Sequence, residues 1–278
     1  MLPVFVLSSL AMKVTVMGGT GFVGSRVCKQ CVAAGAEVTS VSQSGTVPAW
    51  AAGESWASEV TWVANELTRG SREALEAAVG SPDVVVSCVG AVGFDVQGLM
   101  LGNGVANAEA AAAAKKAGVS KFVFVSVASE VADAKGWLPG FFGGYFDGKE
   151  KARAAIVEAV GTEGATFVQP TFIYGGDSFG LFPPRVNSAY GAGVEELLSL
   201  PVFRKLADIT PGLIKVALRP PVSVDAVAGA CTAAALGKVG AGALDGTDAI
   251  NEAAGASTPT AISEWFDGLK EKLADGAA

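Results

Sequence analysis

Gly18, Gly21 and Gly24 stand three residues apart, directly after the apolar run Val14-Thr15-Val16-Met17. That order is a buried strand entering a tight turn and then a helix. Such a turn gathers backbone N–H groups and the positive end of a helix dipole at one point, where phosphate oxygens are held. Gly18 would make the turn, Gly21 would let the backbone approach a pyrophosphate, and Gly24 would let the helix lie close to the strand. Thr20, Phe22 and Val23 occupy the positions between them and belong to the same expected cradle. Tyr145 and Lys149 form a second pair, one turn apart on one face if a helix covers both. A phenol beside an ammonium is an acid–base pair, because the cation favours the phenolate and pulls tyrosine below its ordinary value of about 10. Tyr145 would exchange a proton with a carbonyl oxygen as hydride moves at the carbon, and Lys149 would also hold the ribose hydroxyls of a nicotinamide nucleotide.

Composition removes several alternatives. The chain has no histidine, which excludes Ser-His-Asp and Cys-His catalysis and any histidine metal site. No metal site is expected. Its 27 acids outnumber 20 bases, and no basic cluster offsets that balance, so nucleic acid is not an expected partner. Half the residues are hydrophobic and the mean hydropathy is +0.43, much of it from alanine and valine, as a buried parallel sheet requires. That value also leaves room for contact with a membrane surface or a larger assembly. Cys28 and Cys31 have C-x-x-C spacing but fall inside the helix after the glycine turn, whereas a redox pair sits at a helix start. With Cys88 and Cys231 they are expected to be buried, reduced thiols. Residues 1–11 are apolar, lack a basic start and are too short to span a bilayer, which suggests a residual targeting segment or a packed extension. No other segment reads as transmembrane.

The elements that must position these groups alternate. Strands are expected at 13–17, 37–42, 60–63, 83–89, 121–126 and 166–169. Helices are expected at 22–34, 71–79, 103–117, 148–160, 224–236 and 260–273. Continuous apolar strands separated by helices specify an α/β fold, a Rossmann-type doubly wound parallel sheet covered on both faces. Beyond Tyr174 the pattern loosens into short segments punctuated by Gly175-Gly176, Pro183-Pro184, Pro201, Pro211 and Pro220-Pro221. The expected organisation is an extension over 1–12, a dinucleotide-binding domain over 13–174, and a smaller substrate or partner lobe over 175–278 whose helices return to the core.

The ordered segments Gly18-Gly19-Thr20-Gly21-Phe22-Val23-Gly24, Phe122-Val123-Phe124-Val125-Ser126, Tyr145-Phe146-Asp147-Gly148-Lys149, Gln169-Pro170-Thr171-Phe172-Ile173-Tyr174-Gly175 and Pro221-Val222-Ser223-Val224-Asp225 resemble the short-chain dehydrogenase/reductase superfamily, in its extended or atypical branch. The Tyr-x-x-Gly-Lys motif, the Ser42-Gln43-Ser44-Gly45 turn and the Trp56 and Trp62 region are similar to one subgroup. It holds the NAD(P)H-binding accessory subunit of respiratory complex I, a coenzyme Q biosynthesis relative, and plastid homologues of plants and algae.

The resemblance implies further roles. The superfamily serine falls at Val127 or Ala128, flanked by Ser126 and Ser129; Ser126 is the candidate, and an unfilled position is the alternative. A missing hydroxyl would remove one donor that polarises a carbonyl and leave cofactor binding without turnover. Cofactor choice is set after the second strand, where an acid would bond the adenosine ribose and select NAD. Ser42, Gln43 and Ser44 stand there instead, and Arg26 offers a charge from the other side, so NADP is preferred over NAD. Glu66-Leu67 resembles the adenine-contacting pair, and Val89-Gly90 the small-residue strand end over the adenosine ribose. Pro170 and Phe172 would line the nicotinamide pocket, while Tyr174 packs and Asp225 caps its helix. One of Asn103 and Asn107 bonds the loop after the fifth strand, or Asn103 simply caps a helix. Gly140-Phe141-Phe142-Gly143-Gly144 is either core or an apolar approach for a quinone-like ligand or a membrane partner. Two functions lead: an NADP-dependent reductase of a small or lipophilic carbonyl, or a non-catalytic NADP(H)-holding subunit of an organellar membrane complex; a non-redox role such as lyase or epimerase stays open, since the superfamily includes them. A plastid is expected ahead of a mitochondrion.

Overall fold

The apolar run before Gly18 is strand β1 (Lys13–Met17), and Val14, Val16 and Met17 in it are fully buried, as a strand covered on both faces requires. The computed structural model describes residues 11–177 and 186–260. After β1 come α1 (Gly24–Ala33), β2 (Glu37–Ser42), β3 (Val60–Ala64), α2 (Arg72–Val79) and β4 (Val84–Ser87). Helix α3 (Val96–Met100) continues through a π-helical turn (Leu101–Val105) into α4 (Ala106–Lys116). Then follow β5 (Lys121–Val125), α5 (Ser129–Asp133), two 3-10 turns (Ala134–Trp137 and Gly140–Phe142), α6 (Gly143–Val160) and β6 (Ala165–Gln169). The remainder holds β7 (Ile173–Tyr174), α7 (Ser188–Ser199), α8 (Pro201–Ile209), α9 (Gly212–Ala217), β8 (Val222–Ser223), α10 (Val224–Ala235), β9 (Gly242–Asp245) and α11 (Gly246–Ala254).

Seven strands pair in the order β3-β2-β1-β4-β5-β6-β9, every neighbour parallel. The chain reverses its winding between β1 and β4, and a ligand crevice opens there, beyond the carboxyl ends of the strands. One face buries Val14, Val16, Val84 and Val86 against Cys28, Cys31, Val227 and Cys231 of α1 and α10. The other buries Met17, Val85, Phe122 and Phe124 against Leu75, Ala110, Ala114 and Ile156. Each buried aliphatic or aromatic side chain contributes about 1.5–3 kcal/mol. The expected parallel α/β sheet is therefore the observed one, and it has one strand more than the sequence suggested. β9 pairs with β6 through Thr166↔Gly242 and Gln169↔Asp245.

Three boundaries differ from expectation. The helix expected at 148 begins at Gly143, because Gly144 lets the chain lie on the Val96 carbonyl, where a Cβ would stand 2.2 Å from its oxygen. The helix expected at 103 is already running at Val96, where Asp95 caps it by accepting from the Gln97 and Gly98 N–H groups. Asp225 does not cap α10; the Ser223 hydroxyl accepts from the Ala226 N–H, and Asp225 turns toward Arg26 at 3.5 Å. The helix expected at 260–273 and the segment 1–10 lie outside the described residues.

The later elements are tied together by a buried polar joint. The Tyr174 hydroxyl donates to Glu195 at 2.7 Å, and Asn251 donates to the other Glu195 oxygen at 2.8 Å, tying β7, α7 and α11 together. Glu195 is 1% exposed, and burial raises its carboxyl above the ordinary carboxylate range. Tyr174 is thus a packing residue with its hydroxyl consumed.

Candidate functional site

β1 ends in Met17, and the chain turns at Gly18, whose φ is +78°. The Gly18 N–H bonds the Val41 carbonyl at the end of β2, and the Gly21 N–H bonds the Gly18 carbonyl at 3.0 Å. Gly24 begins α1 so close to this turn that a Cβ would stand 2.2 Å from the Gly18 oxygen. The helix N-terminus is held directly over the strand end.

A cleft of about 410 Å³ opens at this point. Gly18, Thr20 and Gly21 form one wall, Ser42, Gln43, Glu66 and Leu67 one end, and Val89 and Gly90 the other wall. These nine residues, picked out in the sequence from distant segments, are brought together. Asn65, Arg69, Cys88 and Leu101 also line the cleft and were not anticipated. Their signal was topological, since each lies just after β3, just after β4, or in the helix that follows β4. Asn65 Oδ1 is buried there without a hydrogen-bond partner. An orphaned acceptor and a glycine cradle are the fit expected for a dinucleotide with an adenine amino group at one end and a pyrophosphate at the middle.

Other anticipated residues lie elsewhere. Arg26 is not brought to the cleft. It donates to the Phe22 carbonyl at 2.9 Å, pairs with Asp225, and stacks over the rings of Phe22 and Trp50. The physical reason is its place on α1: position 26 faces α10, away from Ser42 and Gln43. Burial lowers its pKa, and Asp225 and Asp177 oppose that shift. Phe22 is consumed as the platform for Arg26, and Val23 packs on the core at the start of α1. Ser44 is exposed and accepts from the Thr46 N–H at 3.4 Å. Pro170 is buried, with its carbonyl bonded to the Ala128 N–H, and Phe172 is exposed; neither lines the cleft. Cys28, Cys31 and Cys231 are buried free thiols pushed up by burial and by their neighbours, Cys31 to about 11, which makes them poor nucleophiles.

Asn103 and Asn107 bond the loop after β4, not the loop after β5. Asn103 donates to the Ala91 carbonyl at 2.9 Å and accepts from its N–H at 3.3 Å. Asn107 donates to the Val89 carbonyl at 3.3 Å and accepts from the Ser87 hydroxyl at 2.5 Å. The π-helical turn rotates both side chains to that side, and π turns recur at functional sites. Together they fix Val89 and Gly90 as a rigid wall.

Lys149 reaches that wall from α6. A Cβ on Gly90 would lie 3.7 Å from Lys149 Nζ and 3.2 Å from Asn103 Oδ1. The ammonium donates to the Val125 carbonyl at 2.9 Å and lies 4.6 Å from the centre of the Phe124 ring. α6 comes this close because Gly148 meets the Gly104 backbone, where a Cβ would stand 3.0 Å from the Gly104 nitrogen. Burial lowers Lys149 to about 8. Tyr145 differs from expectation. Its ring centre is 5.7 Å from Nζ, and burial pushes its hydroxyl up to about 12. The expected lowering fails because the ammonium is spent on the Val125 carbonyl while the phenol sits among apolar groups. Tyr145 is thereby kept protonated and suited to donate a proton. Ser126 is 9% exposed and, with Lys149, Phe146 and Gln169, lines a hollow of about 190 Å³ behind the cleft. Ser129 is bound through both its N–H and its hydroxyl to Asp245, and Val127 and Ala128 are buried.

Comparison with known proteins agrees with this geometry. Residues 18–181 match the family model described as NAD(P)H-binding. A chloroplastic protein of Arabidopsis thaliana is 39% identical over 165 residues, 59% of this chain and 51% of that protein. MIOREX complex component 2 of Saccharomyces cerevisiae is 40% identical over 57 residues, 20% of this chain and 21% of that protein. The matches therefore span about half of the plant relative and a fifth of the yeast one. Among solved structures, the enzyme WbmH of Bordetella bronchiseptica in complex with NAD+ covers 84% of this chain and 74% of its own at 18% identity, with a TM-score of 0.57. The UDP-N-acetylglucosamine 4-epimerase of Methanobrevibacter ruminantium covers 84% and 76% at 15% identity, with a TM-score of 0.59. At those identities the likeness is one of fold.

Proposed function

The chain belongs to the NAD(P)H-binding family. We propose that it acts as a member of the short-chain dehydrogenase/reductase superfamily, holding NADP(H) in the cleft beyond Gly18 and using Tyr145 and Lys149 to reduce a small or lipophilic carbonyl or quinone. The observation that carries this is Lys149, a buried ammonium placed against the Gly90 wall of the cleft beyond the glycine turn. The cofactor supplies hydride, and the protein's own groups do the rest. Lys149 would hold ribose hydroxyls, and its charge would favour the growth of negative charge on the substrate oxygen. Tyr145, protonated up to about 12, would give that oxygen its proton. The chloroplastic relative supports a plastid location.

A second reading, a subunit that holds the cofactor without turning it over, is favoured by one observation. The serine position is filled by buried Val127 and Ala128, and Ser129 is committed to Asp245. Only Ser126 could polarise a carbonyl from that strand end.

The preference for NADP rests on Arg69. It lines the end of the cleft formed by Ser42 and Gln43, where Gln43 donates to Glu66 at 2.8 Å and so engages the one carboxylate present. With Arg26 turned away, Arg69 is the cation placed to meet a 2′-phosphate. Arg69→Ala is expected to weaken NADPH binding about tenfold to a hundredfold and leave NADH unchanged, as the loss of a charge-assisted hydrogen bond implies. Fluorescence titration of both nucleotides checks this. An equal effect on the two would refute the assignment.

A further inference from the structure

The sheet order β1-β4-β5-β6 carries the carboxyl ends of the strands past the nucleotide cleft to a second recess. Ser126 follows β5, Gln169 ends β6, and Lys149 comes from α6; all three line the hollow of about 190 Å³. Its floor holds donors that lack acceptors. Ser126 is 9% exposed, and its hydroxyl makes no hydrogen bond among the described residues. Its oxygen is not sealed from solvent and opens onto the hollow. Lys149 is 7% exposed; the Val125 carbonyl takes one of its three N–H groups and leaves two. The loop that carries Ser126 is pinned at three points. The Ser126 N–H bonds the Val168 carbonyl at 2.7 Å, the Ala128 N–H bonds the Pro170 carbonyl at 2.9 Å, and the Gln169 amide donates to the Val127 carbonyl at 3.0 Å. A ligand would therefore meet the hydroxyl without first having to order that loop.

Three observations define the chemistry of an occupant. The first is size: about 190 Å³ lies below the roughly 300–1,000 Å³ of sites for drug-sized ligands, so the occupant is small. The second is charge. Lys135, Lys149 and Arg153 line the hollow against Asp133 and Glu150, and no ion pair engages any of the five among the described residues. The excess is one positive charge. The Arg153 guanidinium lies 4.0 Å from the centre of the Phe167 ring and has no carboxylate partner, so its N–H groups are left for an incoming acceptor. Lys149 and Arg153 stand one turn apart on α6, which brings both cations to one side of the hollow. The third is the apolar part of the lining, Val127, Ala132 and Phe146, which suits a short alkyl group. Inorganic phosphate has no such group, and Asp133 and Glu150 oppose a dianion. We propose that the hollow binds a small monocarboxylate, with the Ser126 hydroxyl, the Lys149 ammonium and the Arg153 guanidinium donating to its oxygens. The site goes beyond the proposed reduction, which assigns nothing to Arg153.

Ligand-observed NMR of the full chain with propionate and with propionamide tests the site. The two are nearly the same shape, and only propionate is charged. Propionate is expected to bind about tenfold to a hundredfold more tightly, the effect of charge-assisted hydrogen bonds. Arg153→Met and Ser126→Ala should each weaken propionate about tenfold, and the second changes so little volume that it serves if the first fails to fold. Lys151→Met, exposed on the same helix, should bind propionate as the wild type does. NADPH oxidation with 2-oxobutyrate separates two sources of the carboxylate. Oxidation, with hydride passing to the oxo carbon and a proton to its oxygen, assigns the carboxylate to the substrate; binding without oxidation assigns it to a separate ligand, and the site stands in both cases. Equal binding of propionate and propionamide, no binding of propionate, or wild-type propionate affinity in both Arg153→Met and Ser126→Ala would overturn it. Failure of the wild type to bind either nucleotide would overturn the proposed function and leave the propionate result to stand alone.

Discussion

Gly24→Ala is expected to reduce dinucleotide affinity by about a hundredfold or more and to destabilise the fold by about 1–3 kcal/mol. The added Cβ would stand 2.2 Å from the Gly18 oxygen, 2.8 Å from the Gly18 carbonyl carbon and 2.9 Å from Gly19 Cα. All three are backbone atoms of the turn, so no side chain can swing aside. The N-terminus of α1 must lift from the end of β1, and the N–H groups that would face the pyrophosphate lift with it. Gly140→Ala is the control, because nothing lies within 4 Å of a Cβ there and its φ needs no glycine. Thermal melts and nucleotide titrations of the two variants should separate by this margin. Wild-type affinity in Gly24→Ala would mean that the turn does not hold phosphate.

Lys149→Met is expected to lower the rate of NADPH oxidation by a lipophilic quinone or aldehyde about a hundredfold to ten-thousandfold, the range of a lost acid–base group. Methionine keeps the packing on Phe124 and removes the charge beside Gly90. Lys151→Met, exposed on the same helix, should change nothing. The wild-type rate should also depend on pH in a stated direction. Burial lowers Lys149 to about 8, so its charge is present below that value and lost as pH rises through it, while Tyr145 stays protonated throughout. Activity should therefore fall on the alkaline side near 8. An unchanged rate in Lys149→Met would favour another proton donor, and no turnover in the wild type with any carbonyl or quinone would favour the holding subunit.

Much of the sheet was legible because both its faces are buried. Strands such as Val84–Ser87 and Lys121–Val125 must be nearly continuous apolar runs, and such runs stand out in a sequence. β9 did not stand out, because Gly-Ala-Leu-Asp is short, mostly exposed and lies at an edge, where only its pairing with β6 makes it a strand. The start of α6 was hidden by glycines, which are poor helix formers and are tolerated at Gly143 and Gly144 only because the chain packs on Val96. Within the site, the turn at Gly18 was legible because its glycines serve local geometry. The direction of Arg26 was not, because it depends on Asp225 of a helix distant in sequence. The raised pKa of Tyr145 was not legible for the same kind of reason. Spacing along α6 put a cation one turn away, but the Val125 carbonyl on another strand took the ammonium.

The central claim is that the cleft beyond Gly18 holds a nicotinamide dinucleotide. Fluorescence titration of the pure wild-type protein with NADPH and with NADH tests it most directly. Saturable binding of NADPH, tighter than that of NADH, is the predicted result. Binding of neither nucleotide would contradict the account.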